Sequence, residues 1–186
     1  MCSSDLSKLF NGDFVPQPNN GVSSLIRACT DRDLQNRCRF LKGPHLHPPS
    51  GHRMEETGVL LETDASVKED RRSACGGVLR DNSNNWLGGF MCKLTAIPVS
   101  IAEIIGIIHG LNLCWSRGYR QVLVHTDSME AISLLTWGCG NSHPFKDVIE
   151  EGRLILTKTW QVTLAHKPRE EILLADHLAK IGRAHV

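Results

Sequence analysis

The chain has 186 residues, 41% of them hydrophobic, and a formal net charge of +1. This length supports one domain with additional segments, and the hydrophobic content suffices for a sizeable core. The near-neutral charge excludes a global basic field, so any contact with nucleic acid must come from a local patch. The sequence has neither an apolar run of about 18 residues nor an N-terminal apolar stretch of the signal-peptide type, and we therefore expect no membrane partner.

Residues 1 to 57 show no sustained hydrophobic periodicity and are rich in turn-forming residues, such as Pro48-Pro49-Ser50-Gly51. We interpret them as a poorly ordered linker or the remnant of a neighbouring region, with one helical candidate at 22–34. The periodic pattern begins at Gly58. It predicts a folded domain over 58–182 and a tail over 183–186.

Five strands and four helices are predicted within this domain. The predicted strands span 58–66, 75–80, 86–92, 121–126 and 160–165. The predicted helices span 100–116, 128–136, 145–156 and 170–181. The run 81–85 predicts a hairpin turn, because Asn and Asp tolerate a left-handed backbone. Three strands followed by helices alternating with strands predict an α/β fold with a mixed sheet flanked by helices.

The seven cysteines are odd in number and include no CxxC pair. This usage favours a reducing, intracellular compartment, nuclear or cytoplasmic. Free cysteines that pack as small hydrophobes are expected in or beside the periodic segments, at Cys75, Cys92, Cys114 and Cys139. Residue types that bind zinc also occur near the N-terminus, but their spacing matches no common zinc module; they are Cys29, Cys38, His45 and His47.

Four acidic residues occupy positions from which a fold can direct them to one point. Asp64 lies within the first strand, Glu103 begins the long helix, Asp127 ends the strand 121–126, and Asp176 lies in the last helix. Converging carboxylates repel each other and rarely gather without divalent cations. If the fold brings the four together, they predict metal-assisted phosphoryl chemistry.

Three of these acids also have a local structural interpretation. Glu103 can close a capping box on the amide of Ser100. Asp127, together with Glu130, can cap the next helix, and Asp64 can hydrogen-bond its own turn.

Asp176 has no such local alternative. It shares one helical face with Ile172, Ala175 and Ala179 at i, i+3, i+4 and i+7 spacing. An aspartate on an inward face must find compensation, either a metal ion or a buried arginine.

Several ordered motifs resemble the ribonuclease H domain, and in particular the ribonuclease H-like domains of plant non-LTR retroelements. The resemblance covers residues 58 to 181 and implies a five-stranded mixed sheet with helices on both faces. The motifs are Thr63-Asp64-Ala65-Ser66, Gly76-Gly77-Val78-Leu79-Arg80-Asp81, Ala102-Glu103, Thr126-Asp127-Ser128-Met129-Glu130-Ala131 and the segment 166–179.

The resemblance implies hydrolysis of the RNA strand of an RNA–DNA hybrid with two magnesium ions, for which manganese can substitute. One ion would activate the attacking water and the other would stabilise the leaving 3′ oxygen. The implied metal ligands are Asp64, Glu103, Asp127 and Asp176, with Asp64 bridging both ions. His166 would move protons or help the product leave.

The resemblance also implies residues that bind the substrate. Gly76 and Gly77 would let the backbone approach the RNA strand and contact 2′-hydroxyls, and Ser128 would bind substrate beside Asp127. A strand bulge is the structural alternative for the two glycines. The implied partner is an RNA–DNA hybrid or another nucleic acid, and the chain would be a monomer or part of a longer polypeptide.

The sequence departs from the ribonuclease H pattern at two positions, and these departures leave other functions open. Ala65 replaces the glycine that commonly follows the first aspartate, and Ile172 replaces an asparagine four residues before the last aspartate. Both favour the alternative of a catalytically weak nucleic-acid-binding module with the same fold. A 3′–5′ exonuclease is a further alternative, but its Asp-x-Glu pair would be present only in reversed order, as Glu62 and Asp64.

Overall fold

The structure is a computed structural model that describes residues 38–43, 58–68 and 72–184. Within these ranges, six strands form one mixed sheet: β1 (Cys38–Lys42), β2 (Val59–Val67), β3 (Ser73–Asp81), β4 (Trp86–Leu94), β5 (Gln121–Thr126) and β6 (Gln161–His166). The helices are α1 (Val99–Ser116), α2 (Met129–Trp137), α3 (Lys146–Leu156) and α4 (Leu173–Ala184). A short 3-10 helix, Arg169–Glu171, precedes α4.

The strand order across the sheet is β1-β4-β3-β2-β5-β6. The first four strands in this order, β1, β4, β3 and β2, are antiparallel to their neighbours. Strands β5 and β6 run parallel to β2. The α/β prediction and its nine elements are confirmed, with boundaries that differ by a few residues. The sheet has one strand more than the five expected.

The additional strand is β1, which lies in the segment interpreted as a linker. It pairs with β4, and Cys38 lies opposite Cys92. Five residues with three exposed side chains are too few to show a strand period, so the sequence pattern did not reveal it. The helical candidate at 22–34 and most of the proposed linker lie outside the described residues.

The pairing of β1 with β4 overturns the expectation that Cys92 is a free cysteine. Cys92 forms a disulfide with Cys38 in the structure. Cys75 and Cys114 are buried and form no disulfide, as expected, and Cys139 forms no disulfide and is partly buried. The cellular compartment stays a prediction.

The central strand β2 is covered on both faces, because α1 packs on one face of the sheet and α4 on the other. Its residues are therefore buried almost throughout, including the polar Thr63, Asp64 and Ser66. Polar groups in such a position need partners, since burial without a hydrogen bond is costly. The middle of β2 is therefore a part of the core in which polar side chains are buried and need specific partners.

Helix α1 is the one helix in the described ranges that is long and apolar enough to cross a membrane. However, 67% of it is buried inside the protein, between the sheet and α3. Gly110 allows α1 to pack closely on β2, because a Cβ atom there would lie 2.6 Å from Leu61 Cδ2. The apolar composition of α1 is therefore explained by its place in the core.

The predicted hairpin turn between β3 and β4 is confirmed. Asn84 adopts a positive φ of 64°. The Asp81 carboxylate accepts hydrogen bonds from the backbone N–H groups of Ser83 and Asn85 at 2.9 and 2.8 Å. These bonds are local, which is why the composition of the segment predicted the turn.

Helix α4 lies directly on β3 at Gly76. A Cβ atom at this position would lie 2.6 Å from the Ala179 backbone nitrogen and 2.8 Å from the Leu178 carbonyl carbon. Backbone atoms of a packed helix cannot move aside as a flexible side chain can. Glycine at this position therefore sets the approach of α4 to the sheet, and with it the position of Asp176.

We predict that Gly76→Ala lowers the free energy of unfolding by about 1–3 kcal/mol, as overpacking does. Gly140→Ala is the matched control, because a Cβ atom there meets nothing within 4 Å. The control should be neutral, or stabilising by up to about 1 kcal/mol. Urea unfolding of both variants provides the measurement, and equal stability would show that α4 does not approach β3 this closely.

Candidate active site

The acidic side chains gather where β2 and β5 lie side by side. The parallel register places Glu62 opposite His125, so Asp64 in β2 lies beside Asp127, which directly follows the end of β5. Glu103 reaches the same point from α1. Ligand oxygens of Asp64, Glu103 and Asp127 all lie within 4.8 Å of one another.

Glu103 is held by the sheet and not by the start of its own helix. Its Oε1 accepts a hydrogen bond from the Ala65 backbone N–H at 2.9 Å, and its Oε2 accepts one from Thr126 Oγ1 at 3.5 Å. Helix α1 begins at Val99 after Pro98, with no side-chain cap. The capping-box alternative for Glu103 is therefore wrong, and this carboxylate is fixed between β2 and β5.

Asp176 lies on the inward face of α4, as its spacing predicted. It is 3% exposed, and the neighbouring Ala175 and Ala179 are fully buried. Lys180, one turn later, donates a hydrogen bond to Asp176 Oδ2 at 2.5 Å. Among the described residues its partner is thus a lysine and not the expected buried arginine, and the metal ion stays a prediction. Asp176 is outside the group of three, but its charge helps to raise the pKa of Asp64.

Arg169 is a site residue that the sequence analysis missed. Its Nη2 donates to Asp64 Oδ1 at 3.1 Å, and its Nε donates to Asp127 Oδ2 at 2.9 Å. The only sequence indication was a cation inside the motif that begins at His166 and ends beyond Asp176. The guanidinium joins the carboxylates of β2 and β5, although half of its side chain is exposed.

The electrostatics show how strongly these carboxylates disfavour sharing one place. Burial, followed by the charges of Asp127 and Asp176, raises the pKa of Asp64 to about 6, although Arg169 opposes the shift. Burial, followed by the charges of Asp64 and Asp127, raises the pKa of Glu103 to about 8. The protein alone therefore does not fully compensate the negative charge that it gathers.

One oxygen at the centre of this group has no partner. Asp64 Oδ2 is buried and accepts no hydrogen bond from any described residue. A buried carboxylate oxygen left in this way carries a desolvation cost that a cation would remove. Carboxylate oxygens are also the ligands that hard divalent cations such as Mg²⁺ prefer. The residues present therefore fit a divalent metal ion.

Other predicted site residues are placed as follows. His166 is exposed at the end of β6, where it pairs with Thr126 in the ladder. Ser128 caps α2, because its hydroxyl accepts the Ala131 N–H at 3.1 Å. This hydrogen bond also excludes Asp127 as the cap of α2. The proton-moving role of His166 and the substrate-binding role of Ser128 stay predictions.

The two glycines predicted to contact RNA are buried within β3. Gly76 lies under the backbone of α4, and a Cβ atom at Gly77 would overlap the ring of Phe90. Internal packing thus accounts for glycine at both positions without a substrate. Substrate binding by Gly76 and Gly77 stays a prediction.

The structure also shows the contacts and the exposure of the residues on which the alternative functions depend. Glu62 forms an ion pair with Arg80 at 3.2 Å and is outside the Asp64 group, so the exonuclease alternative gains no support. Ala65 packs in the core and donates its backbone N–H to Glu103. Ile172 is 1% exposed and presents no polar group in place of the expected asparagine.

Comparison with known proteins places this geometry in a family. Residues 62–182 match the family described as reverse transcriptase-like. An Arabidopsis thaliana protein named "Putative ribonuclease H protein" is 34% identical to the chain over 122 residues. The matched region is 65% of this chain and 20% of that protein, so the chain spans about a fifth of the relative's length.

Solved structures show the same fold at low sequence identity. Ribonuclease H1 of the archaeon Halobacterium salinarum superimposes with a TM-score of 0.64 and 20% identity, over 69% of this chain and 99% of that one. LC11 ribonuclease H1, solved in complex with an RNA/DNA hybrid, gives a TM-score of 0.61 and 19% identity, over 68% and 96%. The match across 62–182 and the shared fold show that this chain belongs to the reverse transcriptase-like family and contains a ribonuclease H-like domain.

Proposed function

We propose that the chain cleaves the RNA strand of RNA–DNA hybrids internally, by hydrolysis that depends on two divalent metal ions, and that it derives from a retroelement. The observation that carries this proposal is the convergence of Asp64, Glu103 and Asp127 within 4.8 Å around a buried, unpartnered oxygen. The name of the Arabidopsis relative and the hybrid bound to the LC11 enzyme support the choice of substrate.

The four acids would hold Mg²⁺, with Mn²⁺ as a substitute, and Asp64 would contact both ions. Bound ions of this kind supply an activated water and stabilise the charge on the leaving oxygen. The protein's own contribution is positioning, because the Ala65 N–H and Thr126 fix Glu103 before any ligand arrives. His166, exposed at the end of β6, would carry a proton or help the product leave.

Arg169 links two carboxylates of the acidic cluster, Asp64 and Asp127. It neutralises part of the charge on Asp64 and Asp127, but it leaves Asp64 Oδ2 without a partner. Its half-exposed side chain is free to turn towards solvent when a metal ion replaces its charge. Arg169 therefore competes with a metal for the same carboxylates.

A second candidate function is a nucleic-acid-binding module with weak catalysis. It is favoured by the buried Ile172, which leaves no amide side chain to bind nucleic acid at that position. The two functions differ in one measurable property. The module would bind a hybrid without shortening its RNA strand when magnesium is present.

The deciding experiment incubates the full chain with a hybrid labelled on both strands, in magnesium and in chelator. We expect magnesium-dependent shortening of the RNA strand only, and Asp64→Asn should reduce its rate by about a thousandfold or more, since bound metal supplies several kcal/mol. Removing one charge from a repulsive cluster should leave the fold intact and raise the metal-free melting temperature.

Glu150→Gln is the control for this experiment, because Glu150 pairs with Arg153 on the surface of α3 and is outside the acidic cluster. The control should cleave at the parent rate. Equal cleavage by Asp64→Asn and the parent would refute the catalytic assignment. Hybrid binding without cleavage by the parent chain would establish the second function instead.

We predict that Arg169→Ala lowers the melting temperature of the metal-free chain and enlarges the increase that magnesium produces. The substitution leaves Asp64 buried without its ion pair, and it removes the competing cation. Thermal unfolding across a magnesium titration gives both quantities. Arg153→Ala, which breaks a surface pair with Glu150, should change the free energy of unfolding by no more than about 1 kcal/mol and leave the magnesium response as in the parent. An unchanged magnesium response in Arg169→Ala would contradict the competition.

A pH dependence follows from the raised pKa of Glu103. A carboxyl group that binds its proton more tightly in the folded state stabilises the fold below its ordinary pKa and loses this contribution as pH rises. For Glu103, the metal-free free energy of unfolding should decrease as pH rises from 4.5 to about 8. Glu103→Gln should flatten this decrease in urea unfolding measured across that range. A parent-like slope in the variant would show that Glu103 does not bind the proton.

A further inference from the structure

A second group of metal-ligand side chains lies outside the acidic cluster. Cys38 on β1, Cys92 on β4 and His109 on α1 have ligand atoms that all lie within 4.8 Å of one another. None of these residues takes part in the proposed cleavage. The earlier zinc candidates shared only Cys38 with this group, and their other members lie outside the described residues.

The fold brings these three residues together from distant parts of the chain. Cys38 and Cys92 are direct partners in the antiparallel ladder between β1 and β4. Phe90, two residues before Cys92 and therefore on the same face of β4, contacts the His109 ring edge-on, with 6.2 Å between ring centroids. The imidazole of α1 is thus held beneath the two sulfur atoms by the packing of the helix on the sheet.

His109 lacks a partner that its burial would demand. Its Nε2 is buried and forms no hydrogen bond within the described ranges. Burial also lowers the pKa of His109 to about 4, so the ring is neutral at physiological pH. A neutral imidazole offers the lone pair that metal ions bind. A disulfide, by contrast, gives this nitrogen only a weak partner.

We propose that Cys38, Cys92 and His109 bind a zinc-like divalent metal ion when the chain is reduced. A thiol or phosphine reductant supplies two electrons, two protons are taken up, and the disulfide becomes two thiols. The incoming ion displaces both thiol protons and forms two metal–thiolate bonds and one metal–imidazole bond. Water takes the fourth position of the tetrahedron.

The choice of metal follows from the ligands. Two thiolates and an imidazole favour zinc over magnesium, whereas the carboxylates of the acidic cluster have the opposite preference. The bound ion would join the edge strand β1 to both β4 and α1. Ligands from three elements couple binding to folding, so zinc should raise the melting temperature of the reduced chain.

The test uses the full chain, reduced with a phosphine and stripped with chelator, and titrates it with Co²⁺ as a spectroscopic substitute for zinc. We expect one equivalent to produce thiolate-to-cobalt charge-transfer absorption, which carboxylate-bound cobalt does not give. Zinc should abolish this absorption, and excess magnesium should leave it unchanged. X-ray absorption of the zinc-loaded parent should show two sulfur ligands, which tests the site without any substitution.

Two variants locate the site. Cys38→Ser and His109→Gln should each weaken cobalt binding by at least about tenfold. Cys139→Ser is the control, because Cys139 is a free cysteine outside this group, and it should bind cobalt as the parent does. The proposal is overturned if the reduced parent shows no charge-transfer absorption, if zinc has no sulfur ligand, or if both variants bind as tightly as Cys139→Ser.

Discussion

The mutual repulsion of buried carboxylates is the constraint on which this structure depends. Asp64, Glu103 and Asp127 lie within 4.8 Å of one another, and the burial of Asp64 and Glu103 limits the screening of their charges by water. Only a rigid frame can hold them there. The parallel pairing of β2 with β5 aligns the two aspartates, and the sheet fixes the glutamate through the Ala65 N–H. The close packing of α1 and α4 on opposite faces of β2 makes that frame rigid.

The strands and helices of this frame could be predicted from sequence, because each of them has a local pattern of apolar residues. Apolar periodicity located five strands and four helices, and the helical spacing around Asp176 placed this residue correctly on an inward face. The partners of the acids could not be predicted in the same way. Arg169 contacts Asp64 across 105 residues of sequence, and no local period encodes such a pair. The capping box at Glu103 shows the converse, since a plausible local pattern was overridden by contacts with the sheet.

The edge strand β1 also could not be predicted from the sequence. Strand β1 is short, and only one of its five residues is buried, so its sequence resembles that of a loop. It covers the edge of β4 and itself becomes the edge of the sheet. Because the strand was not predicted, its register was not either, and the pairing of Cys38 with Cys92 could not be foreseen. His109 was overlooked for a related reason, since a single histidine in an apolar helix does not reveal what faces it.

The acidic cluster and the Cys38–Cys92–His109 group share one physical property, a buried ligand atom that forms no hydrogen bond with any described residue. This atom is Asp64 Oδ2 in the first and His109 Nε2 in the second. The two groups differ in the charge that surrounds this atom. The acidic cluster accumulates negative charge and is partly neutralised by Arg169, so an arriving cation gains mainly electrostatic energy. His109 avoids charge altogether by staying neutral, so a metal there gains directional bonds to nitrogen and sulfur. In the two proposed sites, charge would therefore set the cation preference of the acidic cluster, and ligand softness would set that of the Cys38–Cys92–His109 group.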